Sequence, residues 1–151
     1  MPTIIFICTG NTCRSPMAAA LATSIFQQQN MDITVLSAGV AAGNGYPASQ
    51  NAILAMEDEN IDINPHLSTL ISQEILTQAA LILTMTTSHL QIIQTIHPTA
   101  NAYTLAQYAG KNNDVSDPYG GDLETYRKCA AQIKVLLSAS VAKIKEELCK
   151  A

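Results

Sequence analysis

Near its N-terminus the chain runs Thr3-Ile4-Ile5-Phe6-Ile7, breaks into Cys8-Thr9-Gly10-Asn11-Thr12-Cys13-Arg14-Ser15, and resumes at Pro16 with apolar side chains at Met17, Leu21 and Ile25. A β-branched and aromatic run, then small polar residues, then a helical repeat predict strand, tight loop and helix in that order. Pro16 suits the first helical position, where a missing N–H costs nothing, and Ser15 before it reads as an N-cap. The loop therefore sits on a helix N-terminus. Arg14 is the only Lys or Arg before Lys111, so the one early cation of the chain lies in that loop.

The same alternation continues downstream. Residues 32–37 read as a second strand, followed by a Gly/Ala-rich loop through Pro47 and a helix over about 49–59. Ala79 to Thr84 is too short and too apolar for a surface helix and suits a buried parallel strand. Helical sequence follows over 88–96, and a fourth short strand over 102–105. A polar loop carries Asp114, Asp117, Pro118 and Gly120-Gly121, and residues 123–148 place Tyr126, Ala130, Ile133, Leu137, Val141, Ile144 and Leu148 along one helical face. Together these predict an α/β fold, a single three-layer domain over residues 1–151. Its four-stranded parallel sheet carries helices on both faces and right-handed crossovers. Ligands in such sheets bind at the carboxyl ends of strands. The Cys8 loop leaves the first strand at that edge and the Asp117 loop follows the fourth, so the two meet there if the strand order allows.

Whole-chain properties narrow the classes. At 151 residues and nearly half apolar, the chain can bury a core of its own. A net charge of −4 argues against nucleic acid and against an anionic membrane surface, both of which call for a basic stripe. The short apolar start has no charged flank and is too brief for a signal peptide or a membrane span, so a cytoplasmic, monomeric protein is the expectation. Its four cysteines, Cys8, Cys13, Cys129 and Cys149, are expected to stay reduced. Neither a Cys-x-x-Cys pair nor a His-rich cluster suggests a metal, and no cofactor is expected. Gly43-x-Gly45-x-x-Ala48 mimics a dinucleotide fingerprint, but Pro47 interrupts it and several residues separate it from the preceding strand.

The loop carries its own chemistry. A cysteine attacks as its thiolate, which a helix N-terminus, converging amides and a guanidinium all stabilise. The same donors cradle a tetrahedral oxyanion, with Arg engaging two oxygens at once. Ser15 can donate to the Cys8 sulfur, easing its departure from a thiophosphate. Gly10 and Asn11 tolerate the left-handed backbone angles a tight loop needs. A strand-end cysteine beside an incidental arginine is the alternative, and eight consecutive residues serving one mechanism weigh against it.

Cys8-x5-Arg14-Ser15-Pro16, with Asp117-Pro118-Tyr119-Gly120 far downstream, resembles the low-molecular-weight protein-tyrosine phosphatase family over essentially the whole chain. That resemblance implies attack on phosphorus by Cys8, grip on the phosphoryl oxygens by Arg14, and proton transfer by Asp117. Thr9, Gly10, Asn11, Thr12, Cys13, Ser15 and Tyr119 would contact phosphate or substrate. Ser37 and His66 would support the loop from beneath, Ser37 together with Asn11, although an ordinary loop His fits position 66 as well. On its own residues, Asp117 before Pro118 also fits a plain turn. Tyr46 is placed at the substrate entrance. Cys13 could trap Cys8 in a reversible disulfide, making activity redox-sensitive, or serve as a small buried residue.

Within the family the string Cys-Thr-Gly-Asn-Thr-Cys-Arg-Ser-Pro-Met, with Ser37-Ala38-Gly39-Val40 and Asp117-Pro118-Tyr119-Gly120-Gly121, is similar to bacterial protein-arginine phosphatases. Those enzymes use the threonine, here Thr12, to select phosphoarginine. Tyrosine-specific members usually carry a bulky aliphatic residue there and a second aromatic where this chain has Gly120. Thr12 also fits a neutral loop position. Phosphorylated proteins are the expected partners, phosphoarginine the first choice and phosphotyrosine the alternative. An arsenate reductase is a more distant reading, since Leu81 to His89 lacks the relay cysteine, and a non-catalytic phosphate-binding module is another.

Overall fold

The computed structural model describes residues Met1–Cys149. Strands β1 (Thr3–Cys8), β2 (Thr34–Gly39), β3 (Leu81–Thr84) and β4 (Ala102–Thr104) form one parallel sheet in the order β2-β1-β3-β4. Helices α1 (Arg14–Gln28), α2 (Gln50–Glu57), α3 (Gln73–Thr77), α4 (Thr87–Ile96), α5 (Leu105–Tyr108) and α6 (Leu123–Leu148) connect and cover it. The expected four-stranded α/β domain is present, and the boundary at 151 falls on residues outside those described.

Strand periodicity sorts the core into two layers. From β1, Ile4, Phe6 and Cys8 join Leu81 and Leu83 of β3 under α1, α2, α5 and α6, where Met17, Leu21, Met56, Tyr126, Ile133 and Leu137 are buried. Ile5 and Ile7 face the other way with Ala38 and Ile82, meeting Leu76 of α3 and Ile93 of α4. Ile4 through Ile7 are all fully buried because β1 is a central strand covered on both faces. Among the described residues no helix is long and apolar enough to cross a membrane.

Several local features differ from the sequence reading. Helix α1 starts at Arg14, with Cys13 as its N-cap and no capping side chain, so Pro16 is its third residue and Ser15 its second. Ser15 thus lies inside the helix rather than at its cap, and its hydroxyl is turned to Cys8 and Asn11. Helices α3 and α5 were not expected; at five and four residues they are too short to show a hydrophobic period. Ser72 caps α3, and Thr104 with Gln107 forms a capping box on α5. Consequently the Asp117 loop follows α5 rather than β4.

The strand order places the site. From β1 the chain crosses to β2 on one side and then to β3 on the other, so the connections after β1 and β3 diverge at their carboxyl ends. Residues 9–13 after β1 and residues 85–86 after β3 border that crevice.

Candidate active site

Cys8 ends β1 almost completely buried, 2% exposed, and its Sγ lies 2.9 Å from Ser15 Oγ. Asn11 makes the turn between them with φ +56°, a left-handed angle that Asn tolerates. Its side chain is wholly buried beneath the loop: Oδ1 accepts from Thr69 N at 2.9 Å, and Nδ2 donates to Ser15 Oγ at 2.8 Å and Ser37 Oγ at 3.0 Å. Because Ser15 Oγ accepts from Asn11, its own proton is free to be donated to the Cys8 sulfur.

The loop carbonyls are tied outward. Val40 N donates to Cys8 O at 2.9 Å, Ala41 N to Thr9 O at 3.0 Å and Ser49 N to Thr12 O at 2.9 Å. His66 Nε2 donates to Asn11 O at 2.7 Å, so that nitrogen carries the ring proton. Among the described residues the amides of Gly10 to Arg14 meet no protein acceptor. Carbonyls turned out and amides left free make an anion cradle at the start of α1. Gly39 allows it: a Cβ there would stand 2.5 Å from Thr9 O and 2.9 Å from Asn11 N.

Arg14 is 4% exposed and held at three points. Its Nη1 donates to Val115 O at 3.0 Å, Nη2 lies 3.5 Å from Thr9 Oγ1, and Nη2 stands 3.6 Å from Asp117 Oδ2. Asp117 is half exposed, and its Oδ1 accepts from Tyr119 N at 3.1 Å, so it forms the turn before Pro118 while its other oxygen faces the arginine. The turn thus leaves the other carboxylate oxygen of Asp117 directed at the site. Cys8, Thr9, Gly10, Thr12, Cys13, Arg14, Asp117 and Tyr119 line one cavity of about 280 Å³.

Of the remaining expected residues, Asn11, Ser15, Ser37 and His66 lie under or behind the loop rather than on the cavity wall. The side chains of Asn11 and Ser15 are fully buried, so they act on the loop from within and leave contact with an anion to the backbone amides. Tyr46 is 62% exposed and stands outside the cavity wall, with its ring lying where a Cβ on Gly43 would be.

The sequence reading missed three residues. Val115 contributes only a carbonyl, which side-chain identity does not announce. Tyr126 of α6 reads as core, yet its OH is 3.2 Å from Cys13 Sγ. Burial and that contact push its pKa up to about 12, so it remains a neutral phenol under Cys13. Cys129 nearby is also raised to about 12 by burial and is inert as a thiol. His89, in the first turn of α4, places Nε2 2.8 Å from Thr9 Oγ1.

His89 gives a pH prediction. Burial above all, then the Arg14 charge, pulls its pKa from 6.5 to about 4 against the opposing pull of Asp114 and Asp117. As pH falls from 6.5 to about 4 the unfolded chain binds a proton that the native state refuses, so stability declines through that window. Thermal midpoints recorded across it should fall more steeply for the wild type than for His89→Gln; parallel curves would show that His89 is not buried neutral.

Comparison with known proteins accords with this geometry. A family model described as low molecular weight phosphotyrosine protein phosphatase matches residues 3–150. A protein-arginine-phosphatase of Bacillus subtilis is 38% identical over 147 residues, covering 95% of this chain and 97% of the relative. A probable low molecular weight protein-tyrosine-phosphatase EpsP of Ralstonia nicotianae is 34% identical, covering 95% and 96%. Among solved structures, the YwlE arginine phosphatase with its cysteine mutated to serine and that active-site serine phosphorylated superposes with a TM-score of 0.92. It is 36% identical and covers 97% of each chain.

Proposed function

We propose, from the premise that this chain belongs to the low molecular weight phosphotyrosine protein phosphatase family, that it hydrolyses phosphoarginine on proteins, the whole of residues 1–151 acting as one phosphatase domain. The observation that carries this reading is the meeting of Cys8, Arg14, Asp117 and Thr12 on one cavity wall.

The Cys8 thiolate attacks phosphorus in line with the leaving nitrogen while the free loop amides and Arg14 hold the phosphoryl oxygens. As the S–P bond forms and the N–P bond breaks, Asp117 gives its proton to the departing guanidine nitrogen. Water then attacks the phosphocysteine, Asp117 takes up its proton, and the S–P bond breaks to release inorganic phosphate. Ser15, 2.9 Å from the sulfur, donates to the thiolate as it leaves. Asp117, half exposed at the cavity mouth, can also pair with the guanidinium before it reacts.

Thr12 shapes the choice of substrate. It lines the cavity with its Oγ1 3.7 Å from Cys13 Sγ, a short polar wall where an aliphatic side chain would narrow the pocket and grip an aromatic ring. Catalytic efficiency on phosphoarginine peptides should exceed that on phosphotyrosine peptides; the reverse order would sink this reading. Thr12→Ile should shift the ratio toward phosphotyrosine by about 10-fold or more, the scale of a few methylenes in a pocket. The tyrosine reading draws on Tyr119, 80% exposed at the rim, which offers one aromatic face to a substrate ring.

A further inference from the structure

We propose that His89 is a positioning residue that fixes the polarity of the Thr9 hydroxyl, turning Thr9 into a hydrogen-bond donor to a phosphoryl oxygen of the substrate. The proposal rests on the phosphatase reading but not on the identity of the leaving group.

The bonds leave little freedom. The Thr86 N–H points at His89 Nδ1 from 3.2 Å, so that nitrogen is the acceptor and the proton of a neutral ring sits on Nε2. Nε2 then donates to Thr9 Oγ1 at 2.8 Å. Arg14 Nη2, which has only protons to offer, approaches the same oxygen at 3.5 Å. A hydroxyl has two lone pairs and one proton; with two donors aimed at the oxygen, its proton is what remains for the cavity that Thr9 lines. A phosphoryl oxygen accepts that proton, whereas a guanidinium, which has only donors, does not. Thr9 therefore belongs to the phosphoryl end of the pocket.

The ring is held where it is needed. His89 is 5% exposed, and its backbone N–H donates back to Thr86 Oγ1 at 3.2 Å, so Thr86 and His89 form a reciprocal cap on α4. The groups facing it are Arg14 from α1 and Asp114 and Asp117 from the loop after α5; burial and Arg14 dominate and keep the ring neutral. A histidine serving only as a helix cap has no need to reach across to an exposed residue 80 positions earlier in the chain.

The test uses inorganic phosphate as a competitive inhibitor of para-nitrophenyl phosphate hydrolysis, with kcat and KM measured beside it. Thr9→Val should weaken phosphate about 10-fold, the scale of a hydrogen bond to a charged acceptor, and Thr9→Ser should restore it. His89→Leu should weaken it similarly, and His89→Gln, whose amide can still donate toward Thr9, should recover part of the loss. The double variant Thr9→Val/His89→Leu should be no worse than the poorer single variant, because one bond is being broken from two ends. Phosphate inhibition by Thr9→Val within twofold of the wild type overturns the proposal; the variant exchanges a hydroxyl for a methyl at an exposed position, so it remains decisive if His89→Leu does not fold. Losses that multiply in the double variant overturn it as well. A wild-type protein that neither binds phosphate nor hydrolyses a phosphomonoester would instead sink the phosphatase reading itself, whereas a preference for phosphotyrosine with the Thr9–His89 coupling intact would leave this proposal standing.

Discussion

Cys8→Ser is expected to abolish turnover, by at least about 10⁴-fold, with little change in thermal stability. The replacement is nearly isosteric at a buried position whose neighbour, the Ser15 hydroxyl 2.9 Å away, can pair with an oxygen as readily as with a sulfur. What disappears is a sulfur, a stronger nucleophile than an alcohol and a better leaving group from phosphorus. A serine alcohol neither attacks nor leaves easily, so the occasional molecule phosphorylated by the reactive N–P bond should persist as a stable ester. Mass spectrometry after incubation with a phosphoarginine peptide should show one added phosphoryl group on the peptide containing residue 8. Steady-state activity within tenfold of the wild type would rule out covalent catalysis by Cys8.

The second large effect falls on Asp117. Asp117→Asn should lower kcat on phosphoarginine peptides by about 10²–10⁴-fold, the range for loss of a positioned acid. Asparagine keeps an oxygen for the bond from Tyr119 N, so the turn before Pro118 survives. It also removes the negative charge 3.6 Å from Arg14, so KM should not rise. The loss should shrink for para-nitrophenyl phosphate, whose phenolate leaves without needing a proton. An equal loss on both substrates would show that Asp117 orients Arg14 rather than protonating the leaving group.

How much of this was legible follows from the distance over which each feature is encoded. The strand, loop and helix of residues 3–28 could be read because every signal is local: an apolar run, a left-handed Asn11, a helical period. The parallel sheet could be read from alternation alone, whereas its order β2-β1-β3-β4, which decides what shares the crevice with Cys8, could not. Asp117 entered through family resemblance, since an Asp before Pro is the ordinary composition of a turn. His89 escaped because its partner Thr9 lies 80 residues away and because His replaces the Glu or Gln that usually marks a capping box. Ser15 misled for an instructive reason: a good capping residue lies inside the helix, with its hydroxyl turned to the sulfur.

The outward ties of the loop carbonyls bear on how the molecule becomes active at all. The first turn of α1 is held by its own residues and can form within about a microsecond. The shape of the loop before it depends on His66 and Thr69, which reach Asn11 from 55 and 58 residues away, and on the segment after β2 and the start of α2. Those bonds close long chain loops, whose entropic cost must be met before the contacts reward it. A chain with β1 and α1 formed but those segments undocked holds every residue of the octapeptide and no cradle. Recovered activity on refolding should therefore report the docking of residues 40–69 more directly than recovered helix content does.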